Sequence, residues 1–142
     1  MSTHWTISSN GIGDFSLGES PTAEGVSGAS PFEAFIADGI EVKGWEMARP
    51  KLRIELNEGG KINALRLYGK APQTQAGLGV GSTLKALQNA YPDLRTRNLP
   101  PTLGKDRCSA TTRTLPDVRF HFESCEAAES GAEVIRVDLW RD

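Results

Sequence analysis

The sequence predicts an α+β fold: a single domain over residues 1–142 in which two short helices pack on a largely antiparallel sheet of five to seven strands. Three observations lead there. Several segments alternate apolar and polar residues with the period of a half-buried strand. Two others carry helix start and stop signals. Finally, 15 Gly and 8 Pro in 142 residues cut the chain into short elements and disfavour a helical bundle.

Taken in order, Trp5 to Gly18 holds short alternating pieces around Asn10-Gly11 and Gly13, which suits one or two short strands at a sheet edge. Residues 19–29 are mostly small or polar and read as a mobile surface loop. Ser30-Pro31-Phe32-Glu33 has the spacing of a capped helix start, with Phe32, Phe35 and Ile36 as its apolar face and Asp38-Gly39 as its stop. From Ile40 the pattern becomes strand-like, and Pro50 sets Glu41 to Arg49 apart by a bend or at an edge. In Lys51 to Asn57, Leu52, Ile54 and Leu56 share one face and Lys51, Arg53 and Glu55 the other. A turn at Glu58-Gly59-Gly60-Lys61 returns the chain through Ile62 to Tyr68, with Ile62 out of phase as at a bulge.

Ser82 is the expected cap of the second helix, Thr83 to Tyr91, where Leu84, Leu87 and Tyr91 recur at helical spacing before Pro92. Residues 92–107 read as an irregular crossing. Val118 to Phe122 and Val134 to Trp140 are two further strands, the second with Ile135, Val137 and Leu139 on one face and Trp140 on the other. The acidic stretch Glu123 to Glu133 between them suits a solvated connection better than a buried helix.

Lys plus Arg number 16 and Asp plus Glu 18, a net charge of -2, so no overall field points to nucleic acid or an anionic membrane. No run of 18 apolar residues supplies a transmembrane segment. The basic residues are nevertheless clustered. Arg95, Arg97, Lys105, Arg107 and Arg113 form a local positive region, read either as a solvated face or as a contact for an acidic protein surface. The first residues lack the basic and apolar regions of a signal peptide. Cys108 and Cys125 suit a disulfide, whose closed loop is worth roughly 3 kcal/mol, or remain free thiols.

Catalytic motifs are weak. Gly77-Leu-Gly-Val-Gly-Ser82 suggests an anion site built on Gly79, Gly81 and Ser82, but it lacks the Gly-Lys-Ser/Thr of a phosphate loop and equally serves as a structural turn. Ser82-Thr-Leu-Lys85 matches the Ser-x-x-Lys skeleton of penicillin-recognising enzymes without their accompanying elements. His4 and His121 are the only histidines, no nucleophile is indicated beside His121, and the spacing of Cys108, Cys125 and His121 fits no zinc pattern. No metal, cofactor or enzymatic activity is therefore expected. Trp45, Tyr68 and Trp140 are candidate interface anchors or core residues, and His121 joins the interface candidates on a polar strand face beside Arg119.

The glycine-based segments Gly11 to Ser20 and Gly77 to Pro92, followed by Val118 to Phe122 and Val134 to Leu139, resemble the layout of small exported bacterial proteins. They are loosely similar to the outer-membrane assembly lipoprotein family and to beta-lactamase-inhibitor-like domains. That resemblance implies helices on a small antiparallel sheet, protein binding and no catalysis; the chain departs from it in having no leader or lipobox cysteine. The expected function is a noncatalytic protein-binding module: an inhibitor, an immunity protein or an envelope accessory. The alternative is a small-ligand or anion-binding domain using the glycine-rich helix entrance. The expected location is periplasmic or secreted, with the leader absent from this chain; the alternative is cytoplasmic.

Overall fold

The computed structural model describes residues 5–35, 41–99 and 107–141. Its elements run β1 (Thr6–Ile7), β2 (Gly11–Ile12), β3 (Phe15–Ser16), β4 (Ser30–Phe35), β5 (Glu41–Ala48), β6 (Lys51–Leu56), β7 (Ile62–Leu67), β8 (Gln73–Thr74), α1 (Leu84–Ala90), β9 (Arg95–Leu99), β10 (Arg107–Thr112), β11 (Leu115–Phe122), α2 (Cys125–Glu129) and β12 (Arg136–Trp140). The fold is α+β with two helices, as expected, but the strands form two sheets rather than one of five to seven. An 8-stranded sheet has the order β4-β5-β6-β7-β12-β11-β10-β9, and a 4-stranded sheet the order β3-β2-β1-β8. Neighbours in the large sheet are antiparallel throughout, whereas β1 and β8 pair in parallel.

The chain closes this sheet out of sequence order. The last strand, β12, inserts between β7 and β11, pairing Val137 with Leu67 on one side and Phe120 with Val137 on the other. One side of the sheet is the core face. Leu52, Ile54, Leu65, Leu67, Val118, Phe120, Phe122, Val137 and Leu139 are all buried there, and they join Ile7, Ile12 and Phe15 of the small sheet with Leu84, Leu87 and Tyr91 of the α1 region in one hydrophobic cluster. Tyr91 and Phe120 stack with ring centroids 6.4 Å apart, and the Tyr91 hydroxyl donates to Thr74 Oγ1, which satisfies that polar tip inside the core.

The hairpin of β6 and β7 matches its apolar alternation, and the phase error at Ile62 is a register shift between Glu55 and Leu56. Other expectations are corrected. Ser30 to Phe35 is a strand, not a helix: alternate residues pair with β5, Phe32 opposite Gly44, and the edge position tolerates the missing donor of Pro31. Local capping signals lose here to the eight-residue partner strand β5. A bend at Arg49-Pro50 sets β5 apart from β6, one of the two expected arrangements; the other fails, because β5 lies inside the sheet rather than at its edge. The proposed stop at Asp38-Gly39 lies outside the described residues. Glycine is required at position 44, where a Cβ would approach the Ile54 carbonyl oxygen to 1.8 Å.

Residues 95–99 of the expected irregular crossing form edge strand β9. The expected solvated connection contains α2, capped by Ser124, whose Oγ accepts from the Ala127 N–H; its Ala128 is buried while Glu126 and Glu129 stay exposed. For α1 the cap is Thr83 rather than Ser82, with Thr83 Oγ1 accepting from the Ala86 N–H at 3.2 Å. Ile135 precedes β12 and is 40% exposed, so it leaves the face it was assigned with Val137 and Leu139. Residues 19–29 carry no strand or helix, and the loop's entrance is tied to β7 by the Ile62 N–H donating to the Glu19 carbonyl.

Cys108 and Cys125 are joined as a disulfide, linking β10 to the start of α2. Among the described residues, no helix is long and apolar enough to cross a membrane.

Candidate functional site

The second side of the large sheet is polar, and strand alternation places its residues. Arg53 and Glu55 on β6, Arg66 on β7, Arg136, Asp138 and Trp140 on β12, and Arg119 and His121 on β11 all point away from the core face. The same register adds Arg107 and Ser109 from β10 and Arg95 and Arg97 from β9. Every strand from β6 through β7, β12, β11 and β10 to β9 therefore contributes an arginine to one surface.

At its centre lies an ion-pair network. Arg66 donates from Nε to Glu55 Oε2 at 2.8 Å and from Nη1 to Asp138 Oδ2 at 2.8 Å, so one guanidinium bridges two carboxylates. Asp138 also has Arg136 Nε at 2.9 Å and His121 Nε2 at 3.2 Å. The latter two approaches lack hydrogen-bond alignment and act as close electrostatic contacts. The Asp138 side chain is only 2% exposed. Burial alone would raise its pKa, but His121, Arg66 and Arg136 together outweigh that and hold the carboxyl below its ordinary value of 3.8. Arg66, also desolvated, is held above its ordinary value by Asp138 and Glu55.

Around this network, cations lie on aromatic rings. The Arg53 guanidinium carbon lies 4.1 Å from the Phe32 ring centroid, Arg119 3.5 Å from that of Trp140, and the Lys51 ammonium 5.4 Å from that of Tyr68. Arg119 is further fixed by donating to the Trp140 carbonyl at 2.8 Å. At the β4–β7 end the face opens into a groove of about 670 Å³ lined by Ser30, Glu46, Lys51, Arg53 and Tyr68 among others.

The candidate residues divide accordingly. Arg95, Arg97, Arg107, His121, Tyr68 and Trp140 share the polar face, although His121 is buried beneath it and Trp140 is half-buried under Arg119. Trp45 lies opposite Ile54 and packs against the core, so it belongs to the other side. Arg113 lies beyond β10, where its backbone N–H donates to Asp93 at 2.8 Å. Lys105 and His4 lie outside the described residues. In the glycine-rich turn, Gly79 N–H donates to Ser82 Oγ, Gly81 N–H to the Val134 carbonyl and Ser82 N–H to the Gly79 carbonyl. These donors are thus engaged within the chain, and positive φ at Gly77 and Gly81 shows the turn that needs glycine.

Sequence reasoning missed Arg53, Glu55, Arg66, Arg136 and Asp138. Their alternation was visible strand by strand, but nothing local announced that β12 would bring Asp138 beside Arg66. It also found no nucleophile near His121, whereas the register sets Ser109 directly opposite it. The two side chains do not hydrogen-bond, and His121 turns Nε2 toward Asp138 instead.

No protein-family model matches the chain, and no curated protein matches its sequence. Among solved structures, the uncharacterized protein yfeY from Escherichia coli superimposes with a TM-score of 0.67 at 10% identity, covering 96% of this chain and 99% of that one. The similarity is one of fold.

Proposed function

We propose that this protein is a noncatalytic binding module that docks an acidic partner protein on the polar face of its large sheet. One observation carries the reading: a chain of net charge -2 gathers an arginine from each of β6, β7, β12, β11, β10 and β9 on a single surface. Two acidic groups at the centre of that face, Glu55 and Asp138, are consumed internally by Arg66 and its neighbours, while Glu46 at the β5 end stays exposed. Arg95, Arg97 and Arg107 take part in no ion pair among the described residues. The cation–aromatic stacks preorganise long side chains that would otherwise lose rotamer freedom on binding.

Inhibitor, immunity or envelope-accessory roles all fall within this class. The disulfide supports a periplasmic or secreted location, where such bonds persist.

The test compares capture of partners from native-host extracts by the wild type and by a triple variant, Arg95→Glu, Arg97→Glu and Arg107→Glu. A saturable acidic partner retained by the wild type and lost by the folded triple variant is the expected result. Equal retention by both proteins, or no saturable partner at all, overturns the proposal.

A further inference from the structure

Resting on that docking face, we infer that the partner presents an extended acidic segment which crosses the strands along the row Arg97, Arg136, Tyr68 and Lys51, passing over the buried His121. Cross-strand register builds this row. Arg97 lies opposite Ser109, Ser109 opposite His121 and His121 opposite Arg136. Continuing the β12–β7 and β7–β6 registers by one residue sets Tyr68 beside Arg136 and Lys51 beside Tyr68, where the ammonium stacks on the ring.

The row contains no acid. Its two ends, Arg97 and Lys51, are exposed and take part in no ion pair among the described residues. Asp138, the carboxylate nearest the middle, is covered by Arg66 and Arg136 and presents almost no surface to a ligand. Strands in a sheet lie about 4.8 Å apart, so the row from β9 to β6 spans about 24 Å, the length of about seven extended residues. At the Lys51 end, the groove of about 670 Å³ has Tyr68, Lys51 and Arg53 on its wall together with one carboxylate, Glu46, so the terminal acid of the segment is placed on the Lys51 and Arg53 side of it. A second copy of this chain would bring the same excess of arginine against itself, which like-charge repulsion opposes.

The experiment titrates the intact protein with a blocked peptide of about eight residues carrying Glu at both ends and in the middle, followed by amide NMR shifts. A composition-matched isomer with contiguous Glu residues and a thymidine oligonucleotide are the comparison probes. The spaced peptide is expected to bind several-fold tighter than either, with shifts along the row. Lys51→Ala and Arg97→Ala, both at exposed positions, are each expected to weaken it by about two- to fivefold. Equal binding of the contiguous isomer or the oligonucleotide, or indifference to Lys51→Ala, overturns the inference. In that event the capture experiment separates the two readings: the docking face stands if the triple variant still loses its partner, and falls if it does not.

Discussion

Asp138 is the residue on which the polar face turns, because a carboxylate 2% exposed persists only with compensating charge. Replacing it, Asp138→Asn, leaves Arg66 with Glu55 alone and removes the counter-charge of Arg136. The expected cost is about 2–4 kcal/mol, read as a lower urea midpoint. Titration follows from the same geometry. Because the folded carboxyl is held below 3.8, the unfolded chain binds more protons as pH falls through that range. The stability contributed by Asp138 is then complete above its unfolded pKa and is lost as pH drops below 3.8 through the folded value. Urea midpoints measured at successively lower pH should show an acid loss that Asp138→Asn diminishes; an unchanged acid profile in the variant would contradict this assignment.

At the scale of elements, both helices are too short to persist alone and depend on caps and tertiary contacts. Thr83→Ala removes the acceptor for the Ala86 N–H and should lower stability by about 1 kcal/mol, seen as a reduced thermal midpoint. The disulfide holds the five-residue α2 against β10. Substituting both Cys108 and Cys125 by Ala should cost about 3 kcal/mol, read by urea unfolding, while the unreduced wild type shows no titratable thiol. The hairpin β6–β7 and helix α1 were legible because each reports its own period locally: Leu52 and Ile54 alternate, and Leu84 and Leu87 recur at helical spacing. Strand β4 was not. Ser30 and Glu33 have the spacing of a capping box, and only pairing with β5 reveals that the backbone bonds go sideways instead.

For the whole molecule, the small sheet and α1 pack on the core side of the large sheet, and the arginines lie on its other side. An interface that rests on exposed arginines should weaken steeply with ionic strength, because the Debye length falls from about 30 Å at 0.01 M to about 8 Å at 0.15 M salt. Association rates measured by stopped flow across that range should fall while dissociation changes little; a salt-independent association rate would argue for an apolar interface instead.

The sequence by itself determined the α+β class, most strand segments of the large sheet, helix α1 and the two cysteines able to bridge, since periodicity and composition are local quantities. Only the tertiary structure decided that β12 lies between β7 and β11, that the strands divide into two sheets, and that Arg66 meets Asp138 across a separation of 72 residues. The physical reason is that strand pairing is nonlocal. A strand's alternation tells which residues share a face, but its neighbour is chosen by burial of the whole core, and that choice assembled scattered arginines into one surface.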